Sequence, residues 1–322
     1  MSDSVTVRAP ARLHLGFLDM NGGLGRRFGS LGLAIDAYET RLTVTRAAKM
    51  RVQGAEAERV GGVLAKLAGA IGGEGAYEVC VEQVIPAHVG LGSGTQLALA
   101  LAAALHHLEG RSGDLSQYAS LAERGARSGA GIGLFAAGGF VVDGGRGELN
   151  RVPPIVARAA FPEEWRIILV IDPSSHGVSG AAEIDAFAAL PQFPAAHASE
   201  ICRRVLMQVL PGLAEKDLGS FGAGISAIQA IVGEHFAPVQ GGSRFKSRAV
   251  EVLLARLAAA GATGIGQTSW GPTGFAFAPD AAAAHKLLAN AAPKAAEMRL
   301  DMKICKALNR GAMIEESTPA SA

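Results

Sequence analysis

The stretch "PAHVGLGSGTQLALALAAAL", residues 86–105, decides how this chain is read. Pro86, Gly90, Gly92 and Gly94 interrupt its first half, and the second half is an unbroken apolar helix pattern. Glycine has no Cβ, so a backbone turn built from it can approach a ligand closely. The helix that follows, from about Thr95, turns its unpaired N–H groups and the positive end of its dipole toward that turn. Such a corner attracts anions, and phosphate is the commonest. The strand-like "YEVCVEQVI" (77–85) just before it completes a strand–loop–helix unit. No Lys follows the last glycine and there is no GxGxxG, so this is neither of the two familiar phosphate loops. The phosphate-binding candidates are Gly90, Leu91, Gly92, Ser93, Gly94, Thr95 and Gln96. A Gly-rich connector that packs a helix on a sheet is the plain structural alternative.

The rest of the chain surrounds this unit with mixed elements. With 322 residues, 49% hydrophobic and 18% charged, it has material for a well-buried protein of two domains. A net charge of +1 gives no reason to expect a nucleic-acid groove or an electrostatic membrane anchor. No segment has the roughly 20 apolar residues of a spanning helix, and "MSDSVTVRAP" lacks a signal core. Cys80, Cys202 and Cys305 fit no CxxC pattern and read as buried thiols of a reducing cytoplasm.

Strands are expected in "SVTVRAPARLHLGFLDM", breaking at Pro10, and in "LGLAIDAYETRLTVTRA" and "MRVQG". Val60, Val63, Leu64, Leu67 and Ile71 form the apolar stripe of a helix. A helix "DLSQYASLAERGAR" capped by Asp114 follows the Gly loop, and "SGAGIGLFAAGGFVVDGG" turns it into another strand. The prolines of "NRVPPIVARAAFP" mark a boundary near 150–160, which divides the chain into domains 1–155 and 156–322. Beyond it come a strand "WRIILVID", helices at about 197–210, 219–236, 246–260 and 280–291, and a strand "EMRLDMKI". The end, "EESTPASA", reads as a frayed tail. Irregular mixing of this kind favours α+β over a doubly wound sheet.

Three glycine-bearing segments stand out: "PARLHLGFLDMNGGLGRRFGSLGLAI" (10–35), the opening loop, and "GIGQTSWGPTGFAF" (264–277). In this order and spacing they resemble the three motifs of the GHMP kinase superfamily. "RLHLGFLDMNG", "GLGSGTQ", "SGAGIGLFAAGGFVVDGG" and "GQTSWGPTGFAF" further resemble the β-ribofuranosylaminobenzene 5′-phosphate synthases, across nearly the whole chain. The resemblance implies a two-domain α+β GHMP kinase-like fold and a decarboxylating phosphoribosyltransferase of tetrahydromethanopterin-type cofactor synthesis. It would condense 4-aminobenzoate with phosphoribosyl pyrophosphate and release CO2 and pyrophosphate, with Mg2+ as cofactor and a homodimer as assembly. Many kinases of the superfamily carry a catalytic Asp in a "PSGxD" stretch. Here "SGAGIG" places Gly131 there, and a glycine cannot accept a proton. An ATP-dependent small-molecule kinase and a non-catalytic ligand-binding protein of the same fold are the rival readings.

The catalytic candidates are Arg12, His14, Asp19, Arg26 and His176. Arg12, His14, Arg26 and Arg27 crowd the first motif, and guanidinium forks suit phosphate and carboxylate, with solvated surface charge as the plain alternative, stronger for Arg27 than for Arg12 and Arg26. Asp19 is the one weak metal candidate, and a turn cap before Asn21–Gly22 is its alternative. His176 sits in a loop at a strand end, where functional groups gather. Gln267, Thr268, Ser269 and Trp270 form a polar and aromatic run, with Trp270 placed either to stack on a substrate ring or to pack in the core. His88 touches ligand or packs, and His106–His107 complement a helix dipole. Asp36 is weaker than Asp19.

Overall fold

The computed structural model describes residues 3–71, 75–110, 119, 127–148, 152–177 and 181–317. Two sheets organise the chain. The first has seven strands: β1 (Ser4–Asp19), β2 (Phe28–Ala47), β3 (Arg51–Gly54), β4 (Ala76–Gln83), β5 (Phe140–Asp143), β6 (Ile155–Ala159) and β11 (Met313–Ser317). Its main path runs β11-β1-β2-β4-β3, with β5 joining β2 to β6. The second sheet has the order β10-β7-β9-β8, from β7 (Arg166–Ile171), β8 (Thr263–Gln267), β9 (Thr273–Ala278) and β10 (Asp301–Cys305). The segment "SGAGIGLFAA" holds a helix, α3 (Ala130–Ala137), which the strand reading of that stretch missed.

α1 (Ala57–Ile71) and α2 (Ser93–Leu108) pack on one face of the first sheet, with Val60, Leu64 and Leu67 buried against Leu99 and Leu105. α7 (Arg248–Ala259) and α8 (Ala281–Glu297) cover one face of the second sheet. Between the sheets lies the largest core, where Leu13, Leu15 and Phe17 of β1 meet Ile167 and Leu169 of β7 and Phe221 and Ile225 of α6 (Leu218–Phe236). This layer also receives α4 (Ala181–Ala189) and α5 (Ala195–Arg204), the latter extended by a π turn over Val205–Val209.

Three expectations are corrected. β1 does not break at Pro10. Its pairing to β11 ends at Arg8, and the register with β2 shifts between Pro10 and Ala11, so the missing N–H falls where the ladder is already irregular. "EES" is not frayed, because Glu315, Glu316 and Ser317 pair with β1. Cys80 and Cys202 are exposed free thiols, and Cys305 alone is buried: Cys80 lies on the polar face of β4, which alternates along the strand. The Asp114 cap and residues 318–322 lie outside the described residues. At the division drawn at residue 155, β6 continues the first sheet to Ala159, and β11 returns to that sheet from the far end of the chain.

Candidate functional site

The Gly loop lies where the two halves meet. Gly90 and Gly92 both have φ +84, and Gly92 precedes α2 in the left-handed conformation with no side-chain cap. Thr95 and Gln96 N–H close the first turn on Gly92 O, which leaves the Ser93 and Gly94 amides of a 16-residue helix for another partner. The glycines answer to close approach as much as to turning. A Cβ on Gly90 would lie 2.4 Å from Thr268 O, and one on Gly92 would lie 2.8 Å from Arg12 Cγ. The C-terminal Gly-rich segment explains the first contact: β8 and β9 are joined by a tight turn over 268–272 that presses on the loop from the second sheet.

Thr268 fastens this junction. Its buried hydroxyl accepts the His14 N–H at 2.9 Å and donates to Gly90 O at 2.9 Å. Arg12 N–H donates to Leu91 O and Arg12 Nη1 to Gly90 O. Gly177, next to His176, donates its N–H to His88 O at 2.7 Å, and its Cα faces Gly271. The three motif segments and the His176 loop, up to 254 residues apart in sequence, thus converge on one turn. Gly131 lies at the same place: a Cβ there would sit 3.0 Å from Thr95 Cγ2.

The polar candidates divide by what they already bond. Ser93 Oγ donates to Ile85 O and accepts from Arg59, and Gln96 Nε2 donates to Gly131 O. Gln267 is saturated: its Oε1 accepts from Lys246 N–H, and its Nε2 donates to Gln240 Oε1 and Ser269 O. Asp19 Oδ1 accepts the N–H groups of Asn21 and Gly22, which is the turn cap of its alternative reading. Arg26 donates through Nε and Nη2 to Gly144 O and Gly145 O, both at 2.7 Å, so its fork holds a neighbouring turn. Asp36 Oδ1 accepts Lys306 N–H, and His107 pairs with Glu316. Among the described residues no three His, Cys, Asp or Glu side chains are gathered as a metal would need.

His14 is 3% exposed, with no hydrogen-bond partner for Nε2 among the described residues and its ring 4.6 Å from that of Phe17. Burial, and then the Arg12 guanidinium beside it, pushes its pKa down to about 3, so it is a neutral imidazole at neutral pH. Trp270 is 4% exposed. One face is taken by Phe187, stacked at 4.7 Å and 23°, and Phe236 meets it edge-on. Trp270 is thus a wall, not an open platform. Phe17, Phe28, Phe187 and Phe236 continue this wall with ring centroids 5.7–6.2 Å apart. The sequence reading missed all four. In a chain only 5% aromatic, such a gathering is itself a signal, but the rings come from positions far apart along the chain.

Asp143 was also missed, although it stands in the quoted "FVVDGG". It is fully buried and accepts from Ser30 Oγ at 2.5 Å and from the N–H groups of Gly129 and Gly145. Burial raises its pKa, against those hydrogen bonds, which lower it. It anchors the turn that leads into α3, and hence the position of Gly131.

Comparison with known proteins bears on the family and the fold. The family described as GHMP kinases N terminal domain matches residues 56–139, and GHMP kinases C terminal matches residues 209–295. A protein of Methanothermobacter thermautotrophicus named β-ribofuranosylphenol 5′-phosphate synthase is 30% identical over 83% of this chain and 86% of its own length. Its namesake in Archaeoglobus fulgidus is 34% identical over 70% of this chain and 75% of its own length. Among solved structures, homoserine kinase from Cytophaga hutchinsonii superposes with a TM-score of 0.68 at 17% identity, over 98% of both chains. Mevalonate diphosphate decarboxylase from Staphylococcus aureus gives 0.69 at 16% identity, over 98% of this chain and 99% of its own. At such identities these two show the fold alone.

Proposed function

Because the chain belongs to the β-ribofuranosylphenol 5′-phosphate synthase family, enzymes of the pentosyltransferase type within the GHMP fold, we propose that it condenses phosphoribosyl pyrophosphate with a para-substituted benzoate, releasing CO2 and pyrophosphate. The observation that carries this is the junction of the uncapped α2 terminus and Arg12 with a wall of aromatic rings around a neutral His14. The loop amides and Arg12 suit a pyrophosphate that gathers negative charge as it leaves the anomeric carbon. The rings suit an aromatic co-substrate.

The proton balance of the reaction matches a His14 that carries no imidazolium proton to give. The ring carbon bearing the carboxylate attacks the anomeric carbon, and the anomeric C–O bond breaks toward pyrophosphate. The C–CO2 bond then breaks and returns its electron pair to the ring. No proton has to be gained or lost, and a dry, ring-lined setting favours loss of the carboxylate as CO2. An in-line displacement needs no enzyme nucleophile. Gly131 against Thr95 fits the same picture, because no hydroxyl has to be deprotonated.

Mg2+, a homodimer and a cytoplasmic location are kept as parts of the proposal. Asp19 is committed to its turn, and among the described residues no group of His, Cys, Asp or Glu side chains forms a protein-based metal site. Mg2+ would then enter together with the pyrophosphorylated substrate and help to neutralise the leaving pyrophosphate. No helix among the described residues is long and apolar enough to cross a membrane.

The test is an isotope balance with carboxyl-labelled 4-aminobenzoate and 4-hydroxybenzoate run in parallel, since the relatives' name specifies a phenol. One labelled CO2 and one pyrophosphate per arylriboside, with ATP untouched, is the expected result. ADP formed in step with a phosphorylated product and no CO2 would return the chain to the kinases.

A further inference from the structure

We propose that the cavity walled by Phe28, Phe187 and Phe193, with the Arg27 guanidinium at its rim, is the subsite for the aromatic carboxylate. The assignment rests on the reaction read above and names where its second substrate is held. The cavity has a volume of about 490 Å³, within the range of small-molecule sites. No carboxylate lines it. Of two other cavities of similar size, about 410 and 510 Å³, the first sets Asp36 and Glu39 among Arg8, Lys303 and Arg310 with Tyr38 as its one aromatic ring, and the second sets Glu163 and Glu164 beside Lys216 with Phe161 as its one ring. Three phenyl rings, and a guanidinium with no carboxylate beside it to compete, single out this one for a flat, apolar anion.

Three further features point the same way. Phe28 has φ +74, a left-handed conformation that a bulky side chain adopts only at a cost, and such residues gather at ligand sites. His88 and Ser269, on the two turns of the phosphate junction, have positive φ as well. Arg27 uses Nε on Met20 O at 3.1 Å and lies 5.4 Å from the Phe28 ring centre. Its Nη1 and Nη2 make no hydrogen bond among the described residues, so a two-pronged face remains for a carboxylate. Finally, Phe187 is both a cavity wall and the ring stacked on Trp270, whose neighbour Gly271 packs on Gly90. Phe187 and Trp270 thus link the cavity wall to the turn that packs on the phosphate loop.

Arg27 is exposed at the rim, and Phe28, Phe187 and Phe193 behind it are half-buried or buried, so the guanidinium guides the carboxylate in and the rings seat the ligand against apolar walls. Gln192 and His235 also line the cavity and offer polar groups to the para substituent.

Equilibrium titration of the whole protein with 4-aminobenzoate, aniline and phosphoribosyl pyrophosphate, each alone, tests the assignment. Arg27→Ala is expected to weaken 4-aminobenzoate about tenfold, the low end for a charged hydrogen bond, and to leave aniline and the pyrophosphate unchanged. Arg27→Lys should recover part of the loss, and Phe28→Leu should weaken both aromatic ligands. Unchanged 4-aminobenzoate affinity in Arg27→Ala and Phe28→Leu, with melting temperatures like the parent, overturns the cavity even if CO2 is released. Affinity lost as expected in a protein that releases no CO2 supports the cavity and removes the reaction instead.

Discussion

Two glycine-rich turns of this protein look alike in sequence and differ in what their glycines do. In "NGGLGRRFG" (21–29) a Cβ on Gly25 would meet nothing within 4 Å, and Leu24 beside it is 92% exposed. In "GLGSG" (90–94) a Cβ on Gly90 would strike Thr268 O at 2.4 Å and the backbone of Gly271 at 3.0 Å. Both glycines have positive φ, +78 and +84. The first is glycine because the chain must turn. The second is glycine because another segment occupies the space. The difference separates an adaptable rim, where Arg26 and Arg27 hold exposed positions, from a junction whose geometry is fixed from both sides.

The comparison fails if the two glycines behave alike. Gly90→Val should destabilise by about 2–6 kcal/mol, the combined cost of left-handed strain and overpacking. Denaturant unfolding would show this, and a loss below 1 kcal/mol would mean that the Thr268 turn is free to retreat.

The junction should also be sensitive to acid. His14 keeps a depressed pKa of about 3 in the folded protein, whereas the unfolded chain protonates it near its ordinary value. Stability is therefore full above about pH 6.5 and falls as pH drops toward 3, by up to about 1.4 kcal/mol per pH unit. His14→Phe should flatten that part of the acid limb. An unchanged limb between pH 6 and 4 would show that His14 is not kept neutral.

Thr268→Val removes the hydroxyl that serves both His14 N–H and Gly90 O. The buried His14 N–H is left unpaired while Gly90 O keeps Arg12 Nη1, so a loss of about 1–3 kcal/mol at neutral pH is expected. Thr268→Ser should restore most of it, which separates hydrogen bonding from packing.

At the rim the effects shrink. Arg26→Ala should lower stability by less than about 1.5 kcal/mol, since its carbonyl partners Gly144 and Gly145 can turn to water once it is gone. Its effect on catalysis should be a raised KM rather than a lowered kcat. Gly25→Ala, with strain and no clash, should cost about 1 kcal/mol. If Arg26→Ala abolishes kcat instead, Arg26 leaves its carbonyls to contact the reacting groups.

Much of this was legible before the structure. The strand–loop–helix unit at 77–105, the three glycine segments in order, and the α+β class follow from periodicity and from residues that only turns and close approaches require. Helix α1 was readable from the stripe Val60, Leu64 and Leu67, because local amphipathicity reports which face is buried. The partners of polar side chains were not legible. Asp19 as a turn cap, Arg26 on Gly144 and Gly145, and Gln267 between Lys246 and Gln240 depend on which polar groups come within 3.1 Å. The aromatic wall was hidden for the same reason: Phe17, Phe28, Phe187, Phe236 and Trp270 share no local pattern and meet only when both sheets enclose one core. Sequence by itself determined where the chain turns, because steric limits on φ act within a few residues. Tertiary structure alone decided what each turn faces, because hydrogen bonds, ring contacts and desolvation act between segments whose separation along the chain carries no information about their distance in space.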